Sequence, residues 1–302
     1  MNMLVNGASG YIGSYLVKEL LDAGHTVYAV CRCIHGFIEN LNGTPGLEII
    51  VCEQSELREK LAGKKVDVWY QLIWEGANGS LRTDAEVQIR NELMAVQALE
   101  LAAEIRCQKI IYAGTVYERM TQKILEDKKF SGNSFYVICK QHTHDVTWQL
   151  SKKYDIDYVW CQFCHPIGVG MNPNQLIPSA IRAFACNDDI EFGKCDQPYD
   201  IFSVKDLAKA FRLLGENTNK KHFYYIGSGH PRILKEYIQE AADICHYDRK
   251  LEFGKRADDG MRYEWEWFDS SEFIEEFGKY EVEDIGLDVR KLGEYYENKY
   301  RL

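Results

Sequence analysis

An α/β fold built on a doubly wound parallel sheet is predicted by three features of this sequence. Short apolar runs alternate with helical stretches through the first half, several of those runs are apolar at nearly every position, and a glycine-rich turn follows the first of them. Nearly all-apolar strands belong to parallel sheets that helices cover on both faces. Repeated strand–helix–strand units then wind such a sheet in the right-handed sense.

Taken in order, Met3–Val5, Thr26–Cys31, Glu48–Cys52, Val66–Leu72 and Lys109–Ala113 read as strands. Tyr11–Ala23, Ser55–Leu61 and Asp84–Ile105 read as the helices between them, and Gly24 stands where a helix C-terminal glycine belongs. Ser134–Lys153 reads as a further long helix and Asp157–Cys164 as a further strand. After Pro166 the texture changes: Gly168, Gly170, Pro173 and Pro178 punctuate a loop, and shorter elements follow. Strands are expected there at Ile190–Phe192 and His222–Ile226, with helices near Ile177–Cys186, Lys205–Leu214 and Ile233–Cys245. This texture predicts a dinucleotide-binding domain over residues 1–165. Residues 166–302 then form a smaller, mainly substrate-binding α/β region, some of whose elements return to the first domain.

At 302 residues the chain can bury roughly three quarters of its unfolded surface. The formal charge of -10 argues against nucleic acid as a partner, because phosphate binding needs basic surface. An anionic ligand must therefore be held locally, by backbone N–H groups and a few arginines. Ten cysteines are scattered through the chain, which fits reduced thiols in the cytoplasm better than a disulfide scaffold. No apolar run approaches the ~20 residues of a membrane span. The first strand begins almost at Met1, which leaves no room for a signal peptide, so the expected location is cytoplasmic with no membrane partner.

The sharpest local signal is Gly7-Ala-Ser9-Gly10-Tyr11-Ile12-Gly13, directly after the first strand and opening the first helix. A tight turn needs Gly7, a pyrophosphate can approach the backbone only where Gly10 lacks a side chain, and Gly13 lets the helix pack on the sheet. Phosphates then meet free N–H groups and the positive end of the helix dipole. Ser9, Tyr11 and Ile12 share the turn. In its strand–turn–helix setting the motif predicts a Rossmann domain that binds NAD or NADP. At the end of the second strand the chain reads Tyr28-Ala-Val-Cys31-Arg32-Cys33, with no carboxylate for an adenosine 2′-hydroxyl. Arg32 can instead pair with a 2′-phosphate, so NADP is preferred to NAD.

Tyr136 and Lys140 stand four residues apart, on one face of an expected helix. A phenol titrates near pH ~10, and a nearby cation lowers that value by stabilising the phenolate. Such a pair can move a proton to or from a sugar hydroxyl while hydride passes to a nicotinamide. Among 19 tyrosines chance supplies about one such match, and Tyr295 with Lys299 is another. Position selects Tyr136, which follows the fifth strand; the tail pair reads as a solvated helix face.

At these residues the chain resembles the extended short-chain dehydrogenase/reductases, which include nucleotide-sugar epimerases, dehydratases and 4-keto reductases. Gly7–Gly13 is similar to the family's glycine motif, and Tyr136 with Lys140 to its catalytic pair. Asn91 falls where the family has an asparagine in the fourth helix, and Gly168-Val-Gly170 resembles its glycine turn after the sixth strand. Phe202–Asp206, Tyr225–Gly229 and Phe268–Ser271 resemble later landmarks in the right order. Where the family has a catalytic Ser or Thr this chain has Ala113, with Thr115 two residues on; either Thr115 substitutes through a shifted loop, or the tyrosine works without a hydroxyl partner. His165 stands where many members have Asn, and Tyr199 where an arginine often binds the nucleotide diphosphate. The acidic pair of sugar 4,6-dehydratases is absent from Ala113-Gly-Thr-Val, which disfavours dehydration.

The resemblance implies an enzyme that passes hydride between C4 of a nucleotide-linked sugar and NADP or NAD. Tyr136, Lys140 and Thr115 would be catalytic. Lys140 and His165 would also touch the cofactor, while Asn91, Tyr199, Arg232 and Arg262 would contact the substrate. Carbonyl reduction ranks above internal 4-epimerisation because Arg32 favours an exchangeable NADPH. A non-catalytic dinucleotide sensor of the same fold is the alternative. The family often forms homodimers through two long helices, a role open to 84–105 and 134–153.

Cys161-Gln-Phe-Cys164-His165 has metal-like spacing, but no second ligand pair is evident and a strand would point the two thiols to opposite faces, so no metal is expected. Trp69, Trp74 and Trp160 read as core or pocket wall, His142 and His144 as facing solvent or neighbouring helices, and the acidic run from Glu281 to Asp288 as a solvated face.

Overall fold

The computed structural model describes residues 1–257, 262–280 and 284–300, so Glu281–Glu283 of the acidic run lie outside the described residues. The chain divides into two compact units, Met1–Gln162 with Ala208–Tyr224, and Phe163–Leu207 with Tyr225–Leu302.

The first unit is organised by strands β1 (Asn2–Asn6), β2 (Thr26–Cys31), β3 (Leu47–Val51), β4 (Val68–Gln71), β5 (Lys109–Ala113) and β6 (Asp157–Gln162). Their order in the sheet is β6-β5-β4-β1-β2-β3, with a short strand at Phe223–Tyr225 beyond β6. Every pairing among the six is parallel, in registers such as Val5 opposite Ala29 and Tyr70. This is the doubly wound order, whose direction reverses between β1 and β4. The central strands are apolar on both faces for a physical reason: Met3, Leu4, Val5, Trp69 and Tyr70 are wholly buried, so neither face meets water.

Helices α1 (Tyr11–Asp22), α2 (Phe37–Asn40), α3 (Leu57–Lys60), α4 (Ala85–Glu104), α5 (Thr121–Glu126) and α6 (Ser134–Tyr154) connect the strands. The side chain of Asp84 caps α4 by accepting a bond from the Val87 N–H at 3.1 Å. The helix expected at Ser55–Leu61 is split, because Glu53 and Glu56 form a reciprocal capping box that tightens Gln54–Glu56 into a 3-10 turn ahead of α3. Leu99 and Ala98 of α4 reach a core shared with Trp69, Ile110, Tyr158 and Trp160.

In the second unit, β7 (His165–Ile167) pairs in parallel with β9 (Ile201–Ser203), and β8 (Pro198–Tyr199) pairs antiparallel with Arg232–Ile233. Helix α7 (Leu176–Cys186) belongs to it, and α8 (Val204–Glu216) runs from it into the first unit. The next helices are α9 (Leu234–Ile244), α10 (Ser271–Phe277) and α11 (Ile285–Tyr300). Three expectations are corrected here. The strand expected to Cys164 stops at Gln162, and the chain enters a separate small sheet at His165. Ile190–Phe192 forms only an isolated bridge, Glu191 to Glu252. The acidic run leads into α11, where Asp288 is buried with Val289, Leu292 and Tyr296, so it is no solvated face at that point. Tyr295 and Lys299, by contrast, are exposed and bonded to each other. Among the described residues no helix is long and apolar enough to cross a membrane.

His142 is exposed and pairs with Glu92 at 3.0 Å, whereas His144 stacks on Trp160 and Phe223 with centroids 4.9 and 5.7 Å apart. Burial pushes the His144 imidazole down to about 4, so the folded protein refuses a proton that the unfolded chain accepts near pH ~6.5. Its contribution is present above the unfolded value and is lost as pH falls towards about 4. Urea titrations from pH 7 to pH 4 are expected to show this loss, and His144→Phe is expected to flatten it. An equal slope in the two proteins would contradict the assignment.

Candidate active site

Two features of the first unit make a site: a cavity over the C-terminal edge of the sheet, and a buried polar cluster beside it. The cavity, about 430 Å³, is lined after β1 by Gly7, Ser9 and Gly10, after β2 by Arg32, Cys33 and His35, and after β4 by Leu72, Ile73, Trp74 and Glu75. It therefore straddles the point where strand order reverses, the place where open α/β sheets bind ligands.

The glycine turn builds its floor. Gly7 has φ +98°, a conformation that side chains disfavour, and the Gly10 N–H donates back to the Gly7 carbonyl at 3.0 Å. A Cβ on Gly13 would fall inside the contact distance of that same carbonyl oxygen and 3.0 Å from the Ala8 Cα. The helix thus starts against the turn because Gly13 has no side chain. Gly10 is the residue before α1 and supplies no side-chain cap, and an uncapped helix N-terminus of this kind suits an anionic ligand. Ser9 bonds to the Cys31 thiol, while Tyr11 and Ile12 lie half-buried in the first turn. Arg32 is exposed at the rim and makes no ion pair among the described residues. The cradle and the rim cation fit a dinucleotide.

The polar cluster sits where β5 ends. Thr115 neighbours the Tyr136 phenol and favours its ionised form, and its hydroxyl accepts from the Tyr117 N–H at 3.4 Å. Tyr136, in the first turn of α6, packs edge-on to Trp74 and Tyr117, with centroids 6.1 and 6.4 Å away. Lys140, one turn further along α6, donates from Nζ to the Ala113 carbonyl at 2.7 Å and lies over the Trp74 ring at 3.8 Å. Trp74 is thus shared between cavity and cluster.

Two residues in this cluster were not singled out by sequence reasoning. Glu118 is 1% exposed, and its carboxylate accepts from the Thr115 N–H at 2.7 Å, Trp160 Nε1 at 2.8 Å and Gln162 Nε2 at 2.7 Å. Arg82 lies face-on to Tyr136, its guanidinium carbon 3.9 Å from the ring centroid. The signal for Glu118 was a carboxylate three residues after Thr115, the spacing of a capping box, which the structure forms. Burial dominates the titrations. It pushes the Tyr136 phenol up to about 12, against the opposing pull of Arg82 and the Thr115 hydrogen bond. It also drives the Lys140 ammonium down and the Glu118 carboxyl up, while each of these two groups favours the charged form of the other.

The remaining expected residues are placed as follows. Asn91 accepts from the Glu75 N–H at 2.8 Å and donates to the Glu75 carbonyl at 2.7 Å, so it anchors the turn after β4. In the second unit, His165 Nδ1 meets the Tyr199 hydroxyl at 3.4 Å, and burial pushes its imidazole down to about 4. His165 Nε2 is buried with no hydrogen-bond partner among the described residues. Arg232 is committed to Glu240 and to the face of Tyr237, and Arg262 is exposed.

A family model described as NAD dependent epimerase/dehydratase matches residues 3–227. The chain is 24% identical over 258 residues to dTDP-6-deoxy-L-talose 4-dehydrogenase (NAD(+)) of Aggregatibacter actinomycetemcomitans, covering 80% of this chain and 89% of that one. It is 26% identical over 260 residues to a putative UDP-glucose 4-epimerase of Methanocaldococcus jannaschii, covering 82% of each. Among solved structures, UDP-glucuronic acid 4-epimerase from Bacillus cereus in complex with NAD superposes with TM-score 0.81 at 19% identity, over 99% of this chain and 100% of that one.

Substituting Gly13 by Val is expected to cost about 1–3 kcal/mol through overpacking. It should also weaken dinucleotide binding about tenfold or more by displacing the start of α1. Calorimetric titration with NADPH and NADH, alongside denaturant melts, checks both; undiminished binding would contradict the cradle.

Proposed function

Because this chain belongs to the NAD dependent epimerase/dehydratase family, we propose that it oxidises or reduces a nucleotide-linked sugar at C4 with a bound NADP or NAD. The observation that carries this reading is the buried Tyr136 beside Thr115 in the cluster where β5 ends, edge-on to the tryptophan that lines the cavity. The relatives named for dTDP- and UDP-sugars support the substrate class.

When bound, the dinucleotide accepts or delivers hydride. The chain's own residues do the rest. The Gly7–Gly13 turn, with Ser9, Tyr11 and Ile12 beside the glycines, holds the pyrophosphate against the start of α1. Arg32 holds the adenosine 2′-phosphate, which favours NADP. Tyr136 takes the proton of a sugar hydroxyl as base, or gives one to a keto oxygen as acid, and the Thr115 hydroxyl bonds to the phenol oxygen throughout. Lys140 bears on the cofactor side of the cluster. His165 as a cofactor contact and Tyr199, Arg232 and Arg262 as substrate contacts complete the reading on the strength of the resemblance; Arg232 must first leave Glu240. Reduction ranks above internal epimerisation because Arg32 suits an exchangeable NADPH. A homodimer through α4 and α6 is part of the same proposal, and Ile89 and Leu93 on α4 are exposed.

Tyr136→Phe is expected to lower turnover by about 10²–10⁴-fold while leaving cofactor affinity within twofold or so. Unchanged turnover would remove Tyr136 from the chemistry, and dinucleotide binding with no turnover of any sugar nucleotide in the parent protein would favour a sensor. Arg32→Ser is expected to weaken NADPH about tenfold and to spare NADH. Equal losses for both cofactors would remove Arg32 from the 2′-phosphate site.

A further inference from the structure

We propose that Arg82 selects a nucleotide-linked sugar that carries a carboxylate on the carbon next to C4, a hexuronic acid, by binding that carboxylate beside Tyr136. The proposal rests on the reading that Tyr136 acts at C4 of a nucleotide-linked sugar, and it names the class of sugar within that reading.

The guanidinium is fixed in place without being neutralised. Its Nε donates to Asn133 Oδ1 at 2.6 Å and its Nη1 to the Ala77 carbonyl, both uncharged acceptors. Asn133 immediately precedes α6, so the same short stretch of chain carries the anchor and the phenol. The guanidinium carbon stands 3.9 and 4.9 Å from the ring centroids of Tyr136 and Tyr117. Nη2 is buried with no hydrogen-bond partner among the described residues. The buried carboxylate of the cluster, Glu118, is taken up by the Thr115 N–H, Trp160 Nε1 and Gln162 Nε2. A buried donor without an acceptor is costly, and so is a buried charge without a counter-ion. An acceptor that is also an anion removes both costs, and a planar carboxylate matches the guanidinium fork.

The place of the cation decides where on the sugar that anion sits. The phenol oxygen lies on the edge of the ring that Arg82 covers, so an anion held by Arg82 is close to whichever sugar oxygen meets the phenol. In a hexuronic acid the C6 carboxylate is borne by C5, the carbon bonded to C4. With O4 at the phenol, the carboxylate falls one carbon away. The nucleotide diphosphate hangs from C1, across the sugar ring. A neutral hexose presents a hydroxymethyl group in the carboxylate's position, which can accept a hydrogen bond but leaves the charge unanswered. A site built to bond an ionised group disfavours the analogue that lacks it. In a chain of formal charge -10, a cation placed here is a local discriminator in favour of an acidic sugar.

The test compares a hexuronic acid with its neutral hexose, each carried on UDP and on dTDP. Binding to the protein saturated with NADPH is measured by calorimetry, and turnover is then followed with NADP and NAD. The parent protein is expected to bind the uronate about 10–100-fold more tightly than the hexose, the effect of one charge-assisted bond to a buried donor. Arg82→Gln is expected to lower uronate affinity far more than hexose affinity, closing the gap to about threefold or less. Asn133→Ala, which releases the guanidinium from its anchor, is expected to close it in part and carries the test if Arg82→Gln does not fold. Equal binding of the two sugars by the parent protein, or binding of neither, would overturn the proposal. Equal losses for the two sugars in Arg82→Gln would assign the cation to the shared diphosphate and overturn it as well. Uronate-selective binding that depends on Arg82, with no turnover of either sugar, would leave the assignment standing and remove the hydride-transfer reading instead.

Discussion

The absence of a side chain at Gly13 is the constraint on which the first unit's cavity depends. It lets α1 begin in contact with the Gly7 carbonyl, so that the helix starts directly above β1. The Gly7 and Ala8 N–H groups are meanwhile tied to the Val30 carbonyl of β2 at 3.0 Å, which binds the turn to the neighbouring strand. A helix N-terminus held over the carboxyl edge of a parallel sheet, at the reversal of strand order, is an anion site by construction. An overall charge of -10 makes such local, backbone-made positive potential necessary for any phosphate ligand.

A second constraint acts at the end of β5. The chain buries a carboxylate, an ammonium and a phenol within one cluster, and each alone would be costly to desolvate. Glu118 resolves this by accepting three hydrogen bonds, from the backbone of Thr115 and from two side chains of β6. The same bonds fix the turn that brings the Thr115 hydroxyl to Tyr136. Ala113 at the end of the strand contributes its carbonyl to Lys140 instead of a hydroxyl to the phenol.

The six-strand core was legible because its strands are buried on both faces and therefore carry unbroken apolar runs, as Met3–Val5 and Val68–Tyr70 do. The long helices α4 and α6 were legible to within a residue or two at each end, from their apolar period and the Asp84 cap. The second unit was less so. Its strands are two or three residues long, too short to show alternation, and β7 follows β6 after a two-residue break that sequence reads as continuous extended chain. In α11 the buried set Val289, Leu292 and Tyr296 does have helical spacing, but the charged residues around it masked the pattern. In the site, Gly7–Gly13, Arg32, Thr115, Tyr136 and Lys140 could be named from motif and position. Arg82 could not, because its seat over the Tyr136 ring depends on a contact across 54 positions of chain, and Glu118 showed only its capping-box spacing to Thr115, since its burial against Trp160 depends on a contact across 42 positions.

The most direct test of the dinucleotide cradle is amide hydrogen exchange with and without NADPH. The account predicts slowed exchange at residues 7–14 and 31–33, where the turn, the start of α1 and the Arg32 rim line the cavity. Binding of NADPH with those amides unprotected, and protection elsewhere in the chain, would contradict it.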